Sequence, residues 1–293
     1  MGNTELLGPL SEIRRERLHG NELFLTATTR PCTFRCRIQR QIVGSGMRHQ
    51  FFGDVNDYRK YALLRALSAG GANRIGVCWM LTPDDGHHGG KVGYLDQPER
   101  YRHFDPDLFD ILAAAKDPPD GRRLEVVERG GALPGGLYFD EPLPPRPEAR
   151  SAYMRACRDA FTEADLVFFD PDNGLETKGM VVGRKAARLY LFLDEIATFY
   201  RTGKSVLIYQ HYHRTGSRDE QIAGHLARFR SVAPDAELWT FRTSFVVFLL
   251  MLHPDSPPSL CQAVEAAASG FDPAFIAGHR VGCGRDDADN CGG

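Results

Sequence analysis

From Asp57 to Ala69 the apolar residues Tyr58, Tyr61, Leu63, Leu64 and Leu67 recur at the spacing of one helix face. The run Arg74–Leu81 (RIGVCWML) is apolar without alternation, as a strand buried on both sides requires. The same two patterns then take turns. Helical spacing marks Pro106–Lys116, Pro147–Glu163, Lys185–Thr202 and Arg218–Ser231. Strand-like runs mark Arg123–Glu128, Leu137–Phe139, Asp165–Phe169 and Ser205–Gln210. Helices alternating with strands predict an α/β fold with a mostly parallel sheet. The last two strand-like runs, Ala236–Arg242 and Ser244–Leu252, have only Thr243 between them, which predicts an antiparallel hairpin at the end of that sheet.

The pattern also divides the chain. Residues 1–46 carry seven Arg and four Glu and no sustained apolar period, and they end in Gly44-Ser45-Gly46. They read as a basic, loosely ordered extension, with Arg14–Arg40 as a candidate nucleic-acid contact. Residues 47–280 read as one domain, and 281–293, rich in Gly and Asp, as a flexible tail. The 36 Lys and Arg nearly balance the 38 Asp and Glu, so the whole chain is not a polyanion binder by bulk charge. Its longest apolar stretch, Phe245–Leu252, is far too short to span a bilayer. Seven scattered Cys without a Cys-x-x-Cys pair point to a reducing cytoplasm. Cys32 and Cys36 lack the second pair that a zinc finger needs.

In open α/β sheets ligands gather at the carboxyl ends of the strands. Here three strand ends carry ionisable groups. Thr82-Pro83-Asp84-Asp85-Gly86-His87-His88-Gly89-Gly90 follows the first run. Asp170-Pro171-Asp172-Asn173-Gly174 follows Asp165–Phe169, and His211-Tyr212-His213-Arg214 follows Ser205–Gln210. Turn chemistry alone favours Gly, Pro, Asn and Asp at such places but gives no reason for several His and Asp along one edge.

The strand ending in Asp170-Pro171 resembles motif IV of amino-directed methyltransferases, usually Asp/Asn-Pro-Pro-Tyr/Phe. Arg48-His49-x-Phe51, Gly53 and Asp57-x-x-Lys60-Tyr61 resemble the opening of the large-subunit rRNA adenine-N6 methyltransferase family of the RlmJ type. The likeness runs from about Met47 to Pro254. It implies a Rossmann-like methyltransferase fold that binds S-adenosylmethionine and methylates an amino group of nucleic acid. By that resemblance Asp170, Pro171, Asn173, Lys60 and His49 are the catalytic candidates, with Asp170 accepting a hydrogen bond from the target amine. Thr82, Asp85, Gly86, Gly90 and Glu128 are the cofactor-binding candidates. Asp172-Asn173 stand where the family has Pro and an aromatic ring.

The same strand ends support a second chemistry. Asp84, Asp85, His87, Asp170, Asp172, His211 and His213 are hard oxygen and imidazole donors, able to hold divalent metal for phosphodiester cleavage. On an extended segment His211 and His213 would share one face. A third reading is a binder of nucleic acid or protein without catalysis.

Overall fold

The computed structural model describes residues 53–82, 90–116, 131–144 and 146–282. The basic extension, His49, the loop carrying Asp84, Asp85, Gly86 and His87, the expected strand Arg123–Glu128 with Glu128, and residues 283–293 lie outside the described residues.

Seven strands form one sheet: β1 (Ile75–Cys78), β2 (Leu137–Phe139), β3 (Leu166–Phe169), β4 (Ser205–His211), β5 (Glu237–Arg242), β6 (Val246–Leu252) and β7 (Ala277–Val281). Their order is β2-β1-β3-β4-β6-β5-β7. Pairing is parallel from β2 through β4 and antiparallel from there to β7. Because β6 opposes both β4 and β5, β5 points the same way as the parallel strands. β1 and β3 are buried at every position, as their unbroken apolar runs require.

Helices cover both faces. On one lie α1 (Val55–Ser68), α3 (Pro106–Ala114) and α7 (Pro258–Gly270), with the one-turn α2 (Pro98–Tyr101) before α3. Leu63, Leu64, Leu108, Leu112, Leu260 and Val264 meet Ile75, Val77, Phe168 and Leu207 there. On the other lie α4 (Pro147–Ala160), α5 (Leu193–Tyr200) and α6 (Arg218–Val232). Cys157, Phe199, Ile222 and Phe229 meet Val167, Phe169, Val206 and Ile208 there. Neighbouring residues of one strand thus feed opposite layers. At Gly76 the helix side comes so near that an added Cβ would lie 2.8 Å from the Phe161 ring.

Three expectations need correcting. The helix expected over Lys185–Thr202 is broken into a 3₁₀ turn at Lys185–Leu189 and α5. The buried Arg150 guanidinium donates to the carbonyls of Ala187 and Tyr190, and Leu191 pairs with the segment after β3 through Gly174 and Glu176. Those backbone groups are therefore unavailable to a continuous helix. The second strand of the hairpin starts at Val246 rather than Ser244. Thr243 Oγ1 accepts from the amides of Phe245 and Val246, which holds Ser244 and Phe245 in the turn. Finally, α7 and β7 follow Pro254, where no further element was expected. Leu260, Ala263, Val264 and Ala267 do have helical spacing, but three of the buried positions of that face are small or β-branched.

Candidate functional site

Following β1, the chain forms β2 on one side of it and β3 on the other. The carboxyl ends of β1 and β3 therefore flank a topological switch point, the place where open α/β sheets leave a crevice. A cavity of about 360 Å³ opens there, lined from β1 by Trp79, Met80, Leu81 and Thr82. β3 contributes Asp170, Pro171 and Asp172, β4 contributes Tyr209 and His211, and the start of α1 contributes Asp54, Asn56, Asp57 and Lys60.

α1 is built to bring polar groups inward. Asp54 caps it, its side chain accepting from the amides of Asn56 and Asp57 at 2.8 and 2.9 Å. One turn on, Asp57 accepts from the Gly53 amide at 2.8 Å. Lys60, its side chain only 6% exposed, donates to Asp57 at 2.6 Å and to Asp170 at 2.7 Å. Its ammonium also stands 5.0 Å from the centre of the Tyr209 ring. Asp170 itself is fixed from behind, where its amide donates to the Cys78 carbonyl.

Asp172 accepts from the Thr82 hydroxyl at 2.5 Å, tying the ends of β1 and β3 together across the cavity wall. Between them Met80 adopts a left-handed backbone, φ 48°, a conformation costly for a residue with a long side chain. Trp79 belongs to one core layer and Met80 to the other, and both line the cavity. Behind Asp172, Asn173 donates its amide to Leu189. Gly174 has φ 86°, and an added Cβ would lie 2.3 Å from Oε1 of Gln210, which holds the Leu175 amide. The glycine of this turn is therefore required twice, by φ and by the close approach.

The electrostatics follow from burial. Burial pushes the Asp170 carboxyl up to about 6 against the pull of Lys60, with Asp57 adding to the rise. Asp54 is likewise raised to about 6, by burial and then by Asp57. Burial works against the Lys60 ammonium, but Asp170 and Asp57 outweigh it and hold its pKa well above the ordinary value. His211 keeps an exposed edge, yet its basicity is lowered, first by burial of the rest of the ring and then by the Lys60 and His213 charges.

Of the residues expected from sequence, Lys60, Thr82, Asp170, Pro171, Asp172 and His211 line this one cavity. Asn173, Gly90 and His213 do not. His213 lines a separate cavity of about 570 Å³ with Glu176, His225 and Arg228. Strand alternation would have put it beside His211, but β4 ends at His211 and the chain turns, the His213 amide donating to the Gln221 side-chain oxygen and its carbonyl accepting from the Gln221 side-chain nitrogen instead. Among the described residues no group of three or more His, Cys, Asp or Glu converges as metal ligands would. Asp54, Asn56, Trp79 and Tyr209 are lining residues that the motif reading did not single out. An acidic residue directly before a helical run, as Asp54 is, marks a cap and so the point where α1 enters the site.

Among the described residues no helix is long and apolar enough to cross a membrane. No protein-family model matches the chain, and no curated protein matches its sequence.

Proposed function

We propose that this chain is an S-adenosylmethionine-dependent methyltransferase that acts on an amino group of nucleic acid. One observation carries the reading. Two segments that separately resemble methyltransferase motifs, Asp57-x-x-Lys60 and Asp170-Pro171, lie 110 residues apart and meet in a 2.7 Å ion pair inside one cavity. The parallel strands closed by an antiparallel hairpin agree with the Rossmann-like methyltransferase fold which that resemblance implies.

The cavity suits the cofactor chemically. Asp54, Asp57, Asp170 and Asp172 face it with Lys60 as the cation among them, and such a lining favours the sulfonium and ammonium groups of S-adenosylmethionine. Its volume lies in the range of small-molecule sites. Trp79 and Tyr209 offer flat apolar surfaces in place of the aromatic missing after Pro171. The cofactor would supply an electrophilic methyl group. Asp170 would accept a hydrogen bond from the target amine and turn its lone pair toward that group, and Lys60 would hold the carboxylate in place. A carboxyl with a pKa near 6 is also able to take up the proton the amine releases. The metal-dependent alternative is weaker, because two of its carboxylates are already engaged, Asp170 by Lys60 and Asp172 by the Thr82 hydroxyl, and His213 lines a different cavity. The thiols of Cys78, Cys157 and Cys261 are unpaired, which supports a cytoplasmic setting.

The test is transfer of labelled methyl from S-adenosylmethionine to RNA and to single-stranded DNA. Wild type should label one of them and Asp170→Ala, which removes the acceptor, should lose at least about a hundredfold, the scale of a positioned acid–base group. Equal labelling by Asp170→Ala, or none by the wild type, would overturn the reading.

A further inference from the structure

The β5–β6 turn stands at the mouth of the cavity. His211, a lining residue, pairs with Val246, the first residue of β6, so Phe245 is the turn residue adjoining that pair. Among the described residues the exposed large hydrophobics are Val181 and Phe245, and Phe245 is 48% exposed. The Lys91 ammonium lies 4.3 Å from the centre of the Phe245 ring. Arg218 binds the Ser244 carbonyl at 2.8 Å, and its guanidinium carbon lies 5.0 Å from the centre of the Tyr212 ring. Cations therefore alternate with exposed or half-buried rings along one side of the opening. In the first turn of α6, Asp219 pairs with Arg242 and Glu220 accepts from the amide of Ser217.

We propose that this rim is a contact surface for single-stranded nucleic acid, in which an unpaired base stacks on Phe245 and the adjoining phosphates lie on Lys91 and Arg218. Stacking needs an accessible π-face, and the backbone needs cations at its flanks; the rim supplies both. An acidic protein segment would use the cations and leave the ring idle, so nucleic acid explains more of what is built here. The proposal rests on the methyltransferase reading only for the identity of the neighbouring cavity, into which the strand would present its target amine.

The experiment is fluorescence anisotropy of the full chain with a labelled single strand of about twelve nucleotides, DNA and RNA in parallel, over a salt series. Phe245→Ala should weaken binding about five- to a hundredfold, the range for loss of one stacked base, and Phe245→Trp should restore it. Lys91→Ala should weaken binding for all sequences and lower the salt slope by about one. Phe245 is exposed, so these changes leave folding intact, and S-adenosylmethionine titration of Phe245→Ala should match wild type. Unchanged affinity in Phe245→Ala, or no strand binding at all, would overturn the proposal. So would competition by oligoglutamate as strong as by unlabelled strand, which would assign the rim to an acidic protein segment. Ring-dependent strand binding without any S-adenosylmethionine binding would leave the surface standing and remove the methyltransferase reading instead.

Discussion

Replacing Lys60 by Met keeps the length and apolar stem of the side chain and removes only its charge. In the native protein that charge is shared between Asp57 and Asp170 at 2.6 and 2.7 Å, with side-chain exposures of 6% for Lys60 and 17% for Asp170. Removing one partner of a buried ion pair typically costs about 3–5 kcal/mol, because the other is left charged in a poor solvent. For a chain of this size that corresponds to a fall in Tm of about 6–20 °C. Asp57 keeps the Gly53 amide, whereas among the described residues Asp170 has no other side-chain partner on which to fall back. Asp170 should therefore respond by binding a proton, its pKa rising further above 6. The sign of the pH effect follows. Where both proteins carry a neutral Asp170, the penalty is smallest. As pH rises above about 6 the wild type ionises Asp170 against Lys60 while the variant still holds its proton, so the stability gap widens. Denaturant titrations of both proteins between pH 5 and 8 measure this gap directly. A gap below about 1 kcal/mol that does not change with pH would refute the claim that these charges are buried together and coupled.

In the wild type, the raised Asp170 pKa means that the folded state binds a proton more readily than the unfolded chain. Its contribution to stability is thus fully present below about pH 4 and is lost as pH rises through about 6, and Asp170→Asn should remove that slope from a stability–pH curve. Methyl transfer should fall as pH drops below about 6, as the acceptor on Asp170 is protonated, and a pH–rate profile checks it. Thr82→Val removes a hydrogen bond to a carboxylate from a residue 2% exposed and should cost about 1.5–3 kcal/mol by denaturant titration. Gly174→Ala must adopt φ 86° and push Gln210 aside, so it should cost about 2 kcal/mol or more in the same assay.

Much of the fold was legible because burial on both faces leaves a plain mark. IGVC and LVFF are apolar at every position, and they form the parallel centre of the sheet. Elements whose shape depends on distant groups were not legible. The Lys185–Thr202 segment has helical spacing throughout, and what interrupts it is the guanidinium of Arg150, on a helix some forty residues earlier. The candidate site divides in the same way. Asp170 could be placed from its own neighbours, since an apolar strand followed by Pro delivers a side chain to the strand end. Its burial and its ion pair could not, because Lys60 comes from the far end of the domain. For α1 the apolar face was legible, but the burial of its polar side was not. Asp57, Arg59 and Lys60 are buried along with its apolar residues, so its polar side is part of the interior rather than a solvated face.

The claim on which the rest depends is that the cavity between the ends of β1 and β3 receives S-adenosylmethionine. Calorimetric titration of the full chain with S-adenosylmethionine, followed by a separate titration with Mg²⁺ or Mn²⁺, tests it most directly. The account predicts saturable binding of the cofactor, weakened in Thr82→Val and in Asp172→Asn, without any need for metal. Metal binding with no heat from S-adenosylmethionine would contradict it and return the Asp and His residues of these strand ends to the phosphodiesterase reading.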